Sequence, residues 1–163
     1  MAIIDHTIFT DIITLQSSRA SEQANITAYA NLYEPLYLKH LLGSEMYYAF
    51  EAGKTGGVYK KLIDGDSEVF EWNGQFYKFD GIKRMLGCLI YPHIIELMNR
   101  GSSTIGVVEQ NVETAINKLP NKEMLRARNE GVRLSKVLQA YILYKSASYP
   151  LYEGKCLSTF PEL

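Results

Sequence analysis

Apolar residues recur along this chain with two different periods. Ile82, Met85, Leu86, Leu89, Ile90, Ile94 and Leu97 follow one another at steps of three and four. That spacing puts them on one side of an α-helix and predicts a buried stripe. Leu134, Val137, Leu138, Tyr141 and Ile142 make a second such stripe, with Arg126, Arg128, Arg133 and Lys136 on the opposite side of the same helix. The two stripes predict long antiparallel helices over about 80–99 and 121–147 that pack on each other.

The second period is that of a β-strand. The stretch FEWNGQFYKF, residues 70–79, alternates about Asn73-Gly74. An Asn-Gly pair between alternating residues signals a two-residue type I′ turn, because that turn needs positive φ at both central positions. The turn sets the register: Trp72 opposite Gln75, Glu71 opposite Phe76, Phe70 opposite Tyr77 and Val69 opposite Lys78. Phe70, Trp72, Tyr77 and Phe79 then share one face, while Val69, Glu71, Phe76 and Lys78 share the other with a diagonal Glu71–Lys78 pair. An isolated hairpin is marginal in water, so the aromatic face needs a surface to lie on.

Weaker patterns fill the rest. A helix over about 21–33, opened by Ser21, places Ala24, Ala28 and Leu32 on one side. Glu34-Pro35 is expected to break it, since proline lacks the N–H and restricts the residue before it. The next segment, PLYLKHLLG, ends at Gly43, and Ser44 is the expected cap of SEMYYAFEAG. GKTGG reads as a linker and VYKKLIDG as a short helix. Residues 2–15 suit an edge strand or an extended arm. Residues 100–118 show no helical stripe, yet TIGVVEQN is too apolar for a flexible linker, which predicts an ordered loop that docks. Pro150 and Pro161 mark 149–163 as an extended tail. The fold class is therefore mainly α: a helical bundle with an inserted β-hairpin at about 68–79 and a long ordered loop at about 100–118. It is read as one domain over 1–163, with 1–18 as an N-terminal arm.

Composition adds a few constraints. The chain has 163 residues, 47% hydrophobic and 21% charged, as in ordinary globular proteins. Seventeen basic against eighteen acidic residues give a net charge of −1, which argues against binding nucleic acid through the whole surface. Twelve tyrosines stand out; interfaces and core margins both use a ring with one dry and one wet end. Cys88 and Cys156 form no CxxC and no disulfide framework. The segment MAIIDHTIFTDIITL is interrupted by Asp5 and Asp11 and does not read as a signal peptide, and no apolar run approaches a membrane span.

Catalytic and metal motifs are not recognisable. His6, His40 and His93 lack metal-ligand spacing, and His93 reads as structural. GKTGG is not a P-loop, because the flanking segments are helical. Asp64, Asp66 and Glu68 offer too few oxygens for a calcium loop and read as a solvated turn. The basic side of the last helix is interspersed with Glu123 and Glu130 and reads as a solvated face. No cofactor or metal is expected, and the features suit an assembly component better than an enzyme.

The order of the pieces carries a resemblance. LLGSEMYYAF, VYKKLIDG, FEWNGQFYKFDGIKRMLGCLIYPHII, STIGVVEQN and a long helix ending SYPLYEGKC resemble, over about residues 30–155, the head–tail connector or adaptor proteins of tailed bacteriophages and prophages of gut bacteria. The corresponding positions are Leu42-Gly43 with Tyr47, Phe70 through Phe79, and Thr104 through Val108, where Ile105 replaces an expected aromatic. The resemblance implies a structural virion protein, made in the bacterial cytoplasm and placed at the head–tail interface. It further implies a closed ring of roughly a dozen copies built on a heterologous interface. The implied partners are the portal protein, a tail or second adaptor protein, and DNA that passes through the channel without sequence-specific binding. The hairpin, loop and tail are then the contact elements: Phe70, Trp72, Phe76 and Tyr77; Ile105, Val107 and Val108; Tyr149 and Tyr152. A small helical protein-binding or regulatory domain without ring assembly is the alternative, and an enzyme with an unrecognised site is a third.

Overall fold

A computed structural model describes residues 3–4, 7–9, 20–99, 102–103, 106–107 and 119–154. It is mainly helical with a small antiparallel hairpin. The elements run α1 (Ala20–Leu42), α2 (Ser44–Gly53), α3 (Gly57–Asp64), β1 (Asp66–Trp72), β2 (Gln75–Phe79), α4 (Ile82–Asn99), β3 (Ser102–Ser103), β4 (Gly106–Val107) and α5 (Leu119–Tyr144). A 3₁₀ turn, Ser146–Ser148, follows.

Helix α1 corrects the expected break at Pro35, since it passes straight through that residue. Ile26, Ala30, Glu34, Leu38 and Leu41 are buried on both sides of the proline. A proline inside a helix costs about 3 kcal/mol; burying each large aliphatic side chain returns roughly 1.5–3 kcal/mol. The core contacts therefore outweigh the lost hydrogen bond. The expected apolar side is also corrected. Ala24 and Ala28 are exposed, and Leu32 is 58% exposed. The true buried row starts two residues later, about 200° around the helix. Gly43, at φ 79°, ends α1 and directly precedes α2. Its N–H donates to the Lys39 carbonyl and its own carbonyl accepts from Tyr47 N–H. Ser44 is thus the first residue of α2 rather than its cap.

Residues 8 and 9 are helical, where an edge strand or an extended arm is expected, and Ile4 and Phe9 are buried. The backbone N–H groups of Ile3 and Ile4 donate to the Glu34 carboxylate at 2.9–3.2 Å. In the 100–118 region, Ser102 pairs with Val107 and Ser103 with Gly106; the rest of the expected loop, Ile105 and Val108 included, lies outside the described residues, as does 155–163 of the tail.

Helices α4 and α5 make the most extensive contact among the described elements and run antiparallel. Arg84 near the start of α4 meets Glu130, Leu89 abuts Gly131, and Tyr91 reaches back to Glu123. Ile82, Met85, Leu86, Leu89, Ile90 and Ile94 are all buried, as the stripe requires. Gly131 allows the close approach: a Cβ there would sit 2.7 Å from Leu89 Cδ2 and 3.2 Å from Leu89 N. On α5, Val137, Leu138, Tyr141 and Ile142 are buried and Leu134 packs against them, while Arg126, Arg128, Arg133 and Lys136 are exposed.

The hairpin has the expected register: Trp72↔Gln75, Glu71↔Phe76, Phe70↔Tyr77, Val69↔Lys78. Asn73 at φ 50° and Gly74 at φ 75° supply the turn. Strand β1 starts two residues earlier than expected and carries an irregularity between Asp66 and Val69. Lys78 pairs with Asp80 at 3.2 Å, not with Glu71 as the diagonal predicted. Two glycines with positive φ, Gly65 and Gly81, let the backbones entering and leaving the hairpin pass in contact. A Cβ on Gly65 would lie 2.7 Å from the Phe79 carbonyl oxygen, and one on Gly81 would collide with the Ile63 carbonyl.

Candidate interaction surface

The hairpin's aromatic face lies on the chain's own helix α5. Phe79 stacks on Tyr141 at 4.5 Å, Phe70 meets Tyr141 edge-on at 5.7 Å, and Phe70 stacks on Tyr144 at 5.3 Å. Phe70 is 2% exposed and Tyr149 is 3% exposed. These two candidate contact residues are corrected to core positions, because aromatic rings from α5 and α3 close over them before any partner arrives. Tyr149 packs against Tyr59 and Tyr141, and its hydroxyl donates to the Val58 carbonyl at 2.9 Å. The first residue of the expected extended tail is thereby pinned to the body. Burial pushes the Tyr149 phenol up to about 12.

This seam also explains much of the tyrosine count. Tyr141 is buried and donates to Asp66 at 2.9 Å, which, with burial as the larger cause, raises its phenol pKa. Asp66 is held below the usual carboxylate range, first by the Glu68 backbone N–H and then by Tyr141. A separate pair of tyrosines explains His93: its ring stacks on Tyr33 at 4.1 Å and its Nε2 shares a 2.7 Å hydrogen bond with Tyr37 Oη. Burial lowers the His93 pKa and favours neutral imidazole. The acidic turn is matched by cations: Lys83 sits 3.4 Å from Asp64 and Lys145 2.8 Å from Glu68. No cluster able to hold a metal occurs among the described residues. Cys88 is buried, which pushes its thiol up to about 11.

The opposite hairpin face is open. Phe76 is 75% exposed and Val69 58% exposed, with Glu71 and Lys78 beside them. Both large apolar side chains stand on a ribbon whose other side is stacked against α5, so they are held in place without being covered. The hairpin is also a two-stranded sheet, which leaves an outer edge on each strand. Leu143 and Tyr144 on α5 are 40% and 42% exposed. A second exposed apolar row lies on α1, where Leu32 and Leu36 are 58% and 61% exposed. Tyr48 on α2, 63% exposed, lies under the Lys39 ammonium at 5.6 Å.

Trp72 and Tyr77 are half-buried. They form one wall of a cleft of about 480 Å³ between the hairpin tip and α5. Val137, Ala140 and Leu143 make the opposite wall, and Arg133 and Lys136 stand among the lining residues. The basic side of α5 reads from the sequence as plain solvated surface. Its convergence with Trp72 depends on how the hairpin folds back, which no local pattern encodes. Tyr152 is half-buried against the core, and burial raises its phenol pKa. Val107 is paired in the small ribbon of β3 and β4.

No helix among the described residues is long and apolar enough to cross a membrane. Comparisons with protein-family models, curated proteins and solved structures return no significant match.

Proposed function

We propose that this chain is a structural assembly protein, a head–tail adaptor of a tailed bacteriophage. In that role its copies form a ring between portal and tail and leave a passage for DNA. The observation that carries the reading is the hairpin's two-sidedness. Its inner face is locked by aromatic stacking on α5, while its outer face presents Phe76 and Val69 to solvent. Held aromatic side chains surrounded by polar residues are the usual anchors of protein–protein contacts. A closed ring needs two different surfaces that meet head to tail. The hairpin's outer face and the Leu32–Leu36 row of α1 are two exposed apolar surfaces on different elements, which suits such a contact.

The test begins with the gene's neighbours and ends with the protein. The expected arrangement is a gene between those for a portal and a tail component. Co-expression with that portal should yield a complex in which electron microscopy shows rings of this chain. Phe76→Asp should leave the isolated chain folded and remove it from the complex. A stable complex containing a single copy of the chain would favour a protein-binding domain without ring assembly. Failure of the unaltered chain to bind the portal would overturn the adaptor reading.

A further inference from the structure

The cleft between the hairpin tip and α5 joins an apolar floor to a one-signed rim. Its lining includes two cations, Arg133 and Lys136, and no carboxylate. The cations differ in how far they are already answered. Arg133 is held by Glu130 through two hydrogen bonds of 2.7 and 2.8 Å, and Glu130 also faces Arg84 at 3.7 Å. Lys136 is exposed and has no ion-pair partner among the described residues. Gln75, also in the lining, accepts the Tyr77 hydroxyl on its Oε1 at 2.6 Å. That bond occupies the amide oxygen and leaves the amide N–H groups of Gln75 as donors. The cleft therefore offers an ammonium without an ion-pair partner among the described residues, and an amide donor, beside an indole, a phenol ring and aliphatic side chains.

We infer that this cleft is a docking site for an acidic, aromatic-bearing peptide segment of a partner protein: a carboxylate reaches Lys136 and Gln75 while its neighbouring apolar side chain lies between Trp72 and the α5 wall. Charge complementarity selects the occupant. One carboxylate satisfies Lys136. A nucleic-acid strand presents a phosphate at every step and calls for a run of cations, whereas the second cation of the cleft, Arg133, is already engaged by Glu130, which it shares with Arg84. Aromatic and aliphatic walls favour an apolar side chain next to the charge. The inference rests on the cleft alone and stands whether or not the chain forms rings.

Trp72 is the chain's one tryptophan, so its fluorescence reports on the cleft directly. The full chain is titrated with acetyl-Asp-Phe-Asp-Leu-amide, with the same peptide carrying Asn for both Asp residues, and with a short single-stranded oligonucleotide. The acidic peptide should give a saturable change in emission that weakens as salt is raised. The Asn peptide, or Lys136→Glu with the acidic peptide, should bind about tenfold or more weakly, a difference of about 1.4 kcal/mol. Circular dichroism checks that Lys136→Glu is folded; if it is not, Lys136→Gln takes its place and should weaken binding several-fold. Three results would overturn the inference: no saturable change with the acidic peptide, equal binding of the two peptides, or tighter binding of the oligonucleotide.

Discussion

Glu34 and Asp66 are two carboxylates whose environments push them in opposite directions. Glu34 is 4% exposed, and burial raises its pKa although the Ile3 and Ile4 N–H groups oppose the shift. Its protonated form is the one the fold favours. The stability it contributes is complete below the ordinary glutamate value and is lost as pH rises through the raised folded value. Asp66 is the reverse case. Its pKa is lowered by the Glu68 N–H, Tyr141 and nearby lysines, so its contribution is present above the ordinary aspartate value and is lost as pH falls through the lowered one. Thermal melts over a pH series should separate them. Glu34→Gln should gain on the parent protein as pH rises from the ordinary glutamate value. Asp66→Asn should lose most at neutral pH, with the gap closing in acid. Melting curves that shift in parallel at every pH would show that neither carboxylate is coupled to folding in this way. Neither role is visible in the sequence, where Glu34 is merely the residue before a proline and Asp66 one of several acids in a turn.

Among the elements, the hairpin and α4 were the most legible, because each rests on a local rule. Asn73-Gly74 dictates the turn, the turn sets the register, and the register sorts the side chains. Helix α1 is not legible in the same way, because a local rule, the proline break, competes there with burial that only the whole fold supplies. The α4–α5 contact shows the same limit. Gly131 looks like a weak point in a helix, since glycine costs about 1 kcal/mol relative to alanine. In the fold it is the position where Leu89 fits. Gly131→Ala should therefore destabilise the protein, by about 1–3 kcal/mol through overpacking, despite its better helix propensity. Leu89→Ala alone should cost about 2–5 kcal/mol. Combined, the two should cost clearly less than their sum, since removing the leucine makes room for the new methyl group. Chemical denaturation of the three variants tests this, and strict additivity would mean that the helices do not meet at that point.

At the scale of the whole molecule, the aromatic seam around Tyr141 ties together elements far apart in sequence: the hairpin through Phe70 and Phe79, and α3 through Tyr149 and Tyr59. The composition announced a surplus of tyrosine but not its location. A ring that is apolar at one end and polar at the other suits a core margin as well as an interface, and only the fold tells them apart. Here the two sides of one hairpin divide these uses. Phe79 is 3% exposed and stacked on Tyr141, so Phe79→Ala should remove about 3–5 kcal/mol of stability. Phe76, three residues earlier on the opposite face, has little in the isolated chain to lose. Phe76→Asp should change stability by less than about 0.5 kcal/mol, as surface substitutions usually do. The same substitution should greatly weaken association, because truncated anchor residues typically cost at least about 2 kcal/mol of binding. Melting temperatures of both variants, measured beside co-sedimentation with the portal partner proposed above, place the boundary between core and contact surface along this ribbon. If Phe76→Asp melts as early as Phe79→Ala and associates normally, the outer face belongs to the fold and the contact surface lies elsewhere.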